Sequence, residues 1–117
     1  MRRKLLCVSF DNNVLRDRCE ALREAGYEVT GTTDIEEAFR HLDAEKFDLV
    51  IVGHRFPTFD KQALISVARQ NWRTPVLLVC GASPEKELDA DARVYALQGL
   101  EALVTAVQRM APQSAVA

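Results

Sequence analysis

The chain is poor in several things, and each scarcity removes a class of protein. Five glycines and four prolines in 117 residues are too few for a collagen-like or low-complexity polymer. Three cysteines, Cys7, Cys19 and Cys80, fall in no C-x-x-C or metal-ligand spacing. That pattern suits buried free thiols in a reducing compartment rather than disulfides or zinc. No apolar run approaches the roughly 18 residues of a membrane span, and the first residues lack the apolar core and small-residue cleavage site of a signal peptide. A cytoplasmic protein without membrane contact is expected. Charge of one sign is also missing. The formal net charge is -2, and Arg2, Arg3 and Lys4 form the one tight basic cluster. A general nucleic-acid binder needs a basic face, so direct nucleic-acid contact is not expected and the cluster reads as a solvated terminus.

What remains is the composition of an ordinary globular domain, with 48% hydrophobic and 27% charged residues. The length fits one domain, over residues 1–112, followed by a disordered tail over 113–117. Short Val-, Leu- and Ile-rich runs alternate with segments of helical period, the mark of βαβ units around a parallel sheet. Five strands are expected, at Leu5 to Ser9, Tyr27 to Gly31, Asp48 to Gly53, Val76 to Cys80 and Arg93 to Leu97. The runs LLCV, LVIV and VLLV are apolar throughout, as strands covered on both faces should be.

Between them, a first helix starts near Asp11, Asn12 and Asn13, carries Leu15, Cys19 and Leu22 on one face and stops at Gly26. A second follows a Thr33–Glu36 capping box, with Ile35, Ala38, Phe39 and Leu42 at helical spacing. A third spans about Asp60 to Gln70, and a last one carries Leu100, Leu103, Val104, Val107 and Met110. The segment GASPEKELDADA leaves room for a shortened fourth helix opened by Ser83 and Pro84. Parallel neighbours need right-handed crossovers, so the expected fold is a single three-layer, doubly wound (βα)5 domain, flavodoxin-like, with strand order 2-1-3-4-5. Function in such a sheet belongs at the carboxyl ends of the strands.

Three segments, EAGYEV, FDLVIVGHRFP and TPVLLVCGA, in this order and spacing, resemble the receiver domains of response regulators, of the chemotaxis type. Pro57, Phe59 and Asp60 are similar to the family's Pro-x-Met-Asp-Gly turn, although Lys61 stands where its glycine would be. The resemblance covers nearly the whole chain. It implies a phosphoacceptor aspartate at the end of the third strand, two acidic magnesium ligands after the first, a Ser or Thr after the fourth and a lysine after the fifth. Here those positions hold Gly53, Ser9 and Phe10, Cys80 and Ala96, with Asp11 as the one neighbouring carboxylate. Magnesium demands hard oxygen ligands in near-octahedral array, and phosphoryl transfer depends on metal, cation and nucleophile together. The resemblance therefore implies a degenerate pseudo-receiver, not an enzyme, without metal or other cofactor, and with a cleft left nearly uncharged.

Other features receive plainer readings. His54 and Arg55 at the end of the third strand have no orienting carboxylate in view, so a catalytic histidine is not expected. His41 reads as solvent-facing. Trp72, Phe56 and Phe59 are expected in loops, capping the sheet ends. Arg93, Val94 and Tyr95 on the edge strand form a candidate partner surface, the more so because receivers bind targets or dimerise near their fifth strand. With no output domain, the chain is expected to act through a protein partner or by self-association, a homodimer included. The setting is bacterial two-component, phosphorelay or transcriptional signalling, independent of phosphorylation. Two alternatives stand beside this: a small-ligand sensor with Ser9, Phe10, Gly53 and Cys80 lining a pocket, and an enzyme using Cys80 as a reactive thiol.

Overall fold

The computed structural model describes residues 2–113. Five parallel strands, β1 (Lys4–Val8), β2 (Glu28–Thr32), β3 (Leu49–Val52), β4 (Val76–Cys80) and β5 (Ala92–Tyr95), lie in the order β2-β1-β3-β4-β5. Four α-helices accompany them, α1 (Asn12–Glu24), α2 (Ile35–Ala44), α3 (Thr58–Trp72) and α4 (Gly99–Met110), with a 3-10 turn at Ala96–Gln98 before α4. The flavodoxin-like sheet expected from the sequence is present.

The apolar strands are buried because alternate residues serve two cores. Leu6, Val8, Val50, Val52, Leu78 and Cys80 meet Ala38 and Leu42 of α2 and Leu64, Ile65 and Ala68 of α3. On the other face Leu5, Cys7, Leu49, Ile51, Leu77 and Val79 meet Cys19 and Leu22 of α1 and Leu103 and Val107 of α4. Period-two alternation with helices on both sides explains why neither face of the central strands needs polar residues. All three cysteines are free and buried. Interaction between the thiols of Cys7 on β1 and Cys19 on α1 draws Cys19 down to about 7 and pushes Cys7 well up.

Helix ends show local chemistry at work. Asp11 caps α1, and Gly26, at a φ of 100°, follows its carboxyl end in the left-handed region that glycine tolerates. In α2 the cap is Asp34, whose carboxylate accepts from the Glu36 amide at 2.9 Å. The expected Thr33–Glu36 box does not form, because Thr32 Oγ1 accepts from the Asp34 amide at 3.0 Å and turns the chain one residue later. Helix α3 is longer at both ends than expected, so Phe59 and Trp72 belong to it rather than to loops.

The largest departure is the fourth helix, which is absent. Residues 81–91 form a non-helical loop, and Ser83 Oγ accepts the Glu85 amide at 3.2 Å without opening a helix. The fifth strand also ends sooner, at Tyr95, with Ala96 and Leu97 in the 3-10 turn. Of the expected tail, Gln113 accepts a hydrogen bond from the Arg3 amide at 3.1 Å, and residues 114–117 lie outside the described residues.

Candidate functional site

The carboxyl ends of β1 and β3 bring the predicted residues together. The Gly53 amide donates to Val8 O at 2.8 Å, which sets the tip of β3 beside Ser9. Phe10, 59% exposed, turns outward and stacks edge-on against Phe56, with ring centroids 5.8 Å apart. Asp11 Oδ1 accepts from the Asn13 and Val14 amides at 2.8 and 3.1 Å. These two bonds hold its carboxyl below the usual carboxylate range.

Between Ser9 and Gly53 lies a residue that the sequence reading passed over. Arg18 of α1 is 7% exposed, and its Nη1 donates to Ser9 Oγ at 3.1 Å. A Cβ on Gly53 would stand 3.3 Å from that nitrogen, 3.2 Å from Val8 O and 3.4 Å from Ser9 Cα. The glycine at position 53 leaves the guanidinium room beside the strand tip. Burial lowers the Arg18 pKa, but an arginine starts so far above neutrality that it stays charged. No carboxylate among the described residues lies within ion-pair distance of it. The cleft is therefore not the nearly uncharged one that the substitutions implied. A buried cation stands beside Gly53.

Arg18 sits on the floor of a cavity of about 260 Å³, which Ser9, Phe10, Asp11, Gly53 and Ala96 also line. Its inner wall is apolar, from Val14, Val79, Val94, Leu100 and Leu103. Cys80 takes no part in it. Strand alternation turns Cys80 to the other face, where burial pushes its thiol up and Pro84 O accepts from it at 3.7 Å. The imidazole of His54 lies against the next residue instead, since a Cβ on Gly81 would stand 3.0 Å from His54 Cδ2. Burial, and then Arg18, Arg55 and Lys61, lower the His54 pKa, so the ring is neutral at pH 7. A fully buried thiol with a raised pKa is a poor nucleophile. The other histidine, His41, stands edge-on to Phe47 rather than free in solvent.

The donor set does not fit magnesium. Ser9 Oγ receives an arginine, Phe10 offers no oxygen, and Asp11 is engaged by the helix it caps. Among the described residues no group of three or more His, Cys, Asp or Glu side chains is placed to hold a metal ion.

A second buried cation lies on the opposite face. Lys61, 2% exposed, pairs with Glu85 of the 81–91 loop, and its Nζ donates to His54 O at 3.0 Å. Glu85 also accepts from Thr58 Oγ1 at 3.2 Å. Arg93 donates to the carbonyls of Pro84 at 2.7 Å, Glu85 at 3.1 Å, and Leu88. Arg69 pairs with Asp89 and Asp91. Arg93 takes backbone carbonyls that a helix would use for its own amides, and Lys61 and Arg69 hold the carboxylates, which accounts for the loop in place of the fourth helix. Two of the three edge-strand residues expected to meet a partner are consequently engaged inside the chain. Arg93 holds the loop and Val94 is buried, while Tyr95 stays exposed. Beside Tyr95 are Leu97, 98% exposed, and Leu100, 43% exposed.

Comparison with known proteins agrees with this architecture. No family model matches the chain. It is 30% identical over 84 residues to the transcriptional activator protein PfeR of Pseudomonas aeruginosa, a stretch that covers 72% of this chain. It spans only 28% of the length of PfeR. The chemotaxis response regulator CheY4 of Vibrio cholerae superposes with a TM-score of 0.81 at 24% identity, over 94% of this chain and 99% of that one. A CheY-like receiver domain protein from Methanospirillum hungatei superposes with a TM-score of 0.82 at 19% identity, over 93% of each chain. No helix among the described residues is long and apolar enough to cross a membrane. The strand order, the helices on both faces and these superpositions together give the chain the receiver-domain fold of the response regulators.

Proposed function

We propose that the chain is a non-catalytic pseudo-receiver, a signalling module that works by protein contact without an aspartyl-phosphate switch. One observation carries the reading: the position of the phosphoacceptor is a glycine whose Cβ space adjoins the guanidinium of Arg18. A phosphoryl group needs a carboxylate nucleophile, a metal and a cation gathered on it. Here the nucleophile is absent, the metal ligands are replaced, and the cation is bound to Ser9. Similarity to a transcriptional activator and to a chemotaxis regulator supports a place in two-component or transcriptional signalling.

The contact surface that remains after Arg93 and Val94 are set aside is the patch of Tyr95, Leu97 and Leu100 at the end of β5 and the start of α4. Exposed apolar side chains grouped in this way mark protein contacts. A protein partner or a second copy of the chain would use it, with neither nucleic acid nor membrane in direct contact. Incubation with a small phosphodonor and magnesium, followed by intact-mass measurement, is expected to leave the mass unchanged. A stable phosphoryl adduct would overturn the reading.

A further inference from the structure

From the unpaired Arg18 on the floor of the cavity, we propose that this cavity is a binding site for a small organic anion, a carboxylate or phosphate monoester carrying a compact apolar body. Arg18 presents five N–H donors in a planar fork, and among the described residues Ser9 Oγ is its one hydrogen-bond partner. The side chain as a whole is 7% exposed, yet no Arg18 nitrogen is both buried and without a partner, so its open donors face the cavity. An anion entering the cavity supplies the missing acceptors. A carboxylate or phosphate matches the fork bidentately.

The rest of the cavity fixes the remainder of the ligand. The rim carries Asp11 and Asp17 against Arg55, a formal excess of one negative charge, with Arg18 as the cation within. Asp11 is already committed to capping α1, and Asp17 pairs with Arg16 at 3.8 Å. His54 at the edge is neutral and adds no charge at pH 7. Arg18 is thus the one net charge at the bottom, and it faces the apolar walls of Val79, Val94 and Leu103. A free inorganic anion would leave those walls in water. An anion with an aromatic or branched aliphatic body would cover them, within a volume of about 260 Å³ that accepts a group of one-ring size.

The site does not depend on the phosphorylation-independent reading. It lies on the α1 and α4 side of the sheet and involves neither phosphoryl transfer nor the patch of Tyr95, Leu97 and Leu100 as a partner surface. It does reach Tyr95 and Leu100 from within, so an occupied cavity would bear on the underside of that patch.

The test is titration of the full chain with benzoate, phenyl phosphate, inorganic phosphate and benzyl alcohol, followed by amide chemical shifts. Benzoate or phenyl phosphate is expected to move the Ser9, Gly53 and Leu103 amides in a saturable way. Inorganic phosphate and benzyl alcohol, each carrying half of the required chemistry, should move them at least about tenfold less effectively. Arg18→Met is expected to weaken the organic anion by about tenfold or more, and Arg18→Lys by less. Equal response to benzyl alcohol, or no saturable response to either organic anion, overturns the proposal. If Arg18→Met fails to fold, the four-ligand comparison on the unaltered chain still decides. If it folds and binds benzoate unchanged, the proposal fails.

Discussion

The two faces of the sheet each bury a cation, and the domain treats the two in opposite ways. On the α2 and α3 face, Lys61 meets a carboxylate and a carbonyl, and the 81–91 loop that brings Glu85 is itself held by Arg69 and Arg93. On the α1 and α4 face, Arg18 meets a single hydroxyl and opens onto a cavity. A partnered buried cation contributes to the frame, whereas an under-partnered one keeps binding capacity in reserve. The comparison separates the structural charge of this domain from its functional charge, although the two lie on either side of the same strand tips.

The largest effect should come from breaking the partnered side. Glu85→Ala leaves Lys61 buried without its counter-charge and is expected to cost about 3 kcal/mol in chemical denaturation. The double change Lys61→Met with Glu85→Leu should recover most of that loss. If Glu85→Ala proves neutral, the ion pair does not anchor the loop. The same disruption on the other face should do far less. Arg18→Met removes one hydrogen bond together with the burden of a buried charge, and stability should stay within about 1 kcal/mol of the unaltered chain. A loss as large as that of Glu85→Ala would mean that Arg18 is structural and would erase the contrast.

The smallest effect concerns the rim. Asp11 has its pKa lowered by the amides it caps, so its contribution to stability is present above the ordinary carboxyl value of 3.8 and is lost as the pH falls through the lower folded value. Melting temperatures of the unaltered chain and Asp11→Ala should differ by a constant amount from neutral pH down to the ordinary value of 3.8 and converge below the lower folded value. A gap that persisted in acid would remove the charged cap as its source.

The frame was legible because strands buried on both faces announce themselves as continuous apolar runs, and β1, β3 and β4 do. The site was legible only as a list of losses. Ser9, Phe10 and Gly53 are where the family resemblance placed them, but what filled the space came from elsewhere in the chain. A signal was present. Arg18 falls in the stripe Leu15, Arg18, Cys19, Leu22, and Lys61 in the stripe Lys61, Leu64, Ile65, Ala68, both at i, i+3, i+4 and i+7. A cation in an apolar stripe must be buried or must break the stripe, and both are buried here. The loop was harder to foresee, since Ser83 and Pro84 are good helix openers and the groups that prevent the helix, Lys61, Arg69 and Arg93, are 5 to 24 residues distant from their partners in sequence. Neither Thr33 nor Asp34 is a poor cap on composition alone, and a single hydrogen bond from the Asp34 amide to Thr32 decided between them.

Arg18 occupies the cleft at the tips of β1 and β3 where a receiver of the usual kind would hold a metal ion. The sharpest check is thermal melting with magnesium and beryllofluoride together, since that mixture stabilises a site that has both an acceptor carboxylate and its metal ligands. The melting temperature should match that with either component alone. A rise that requires both would show that the cleft still binds metal and acceptor together.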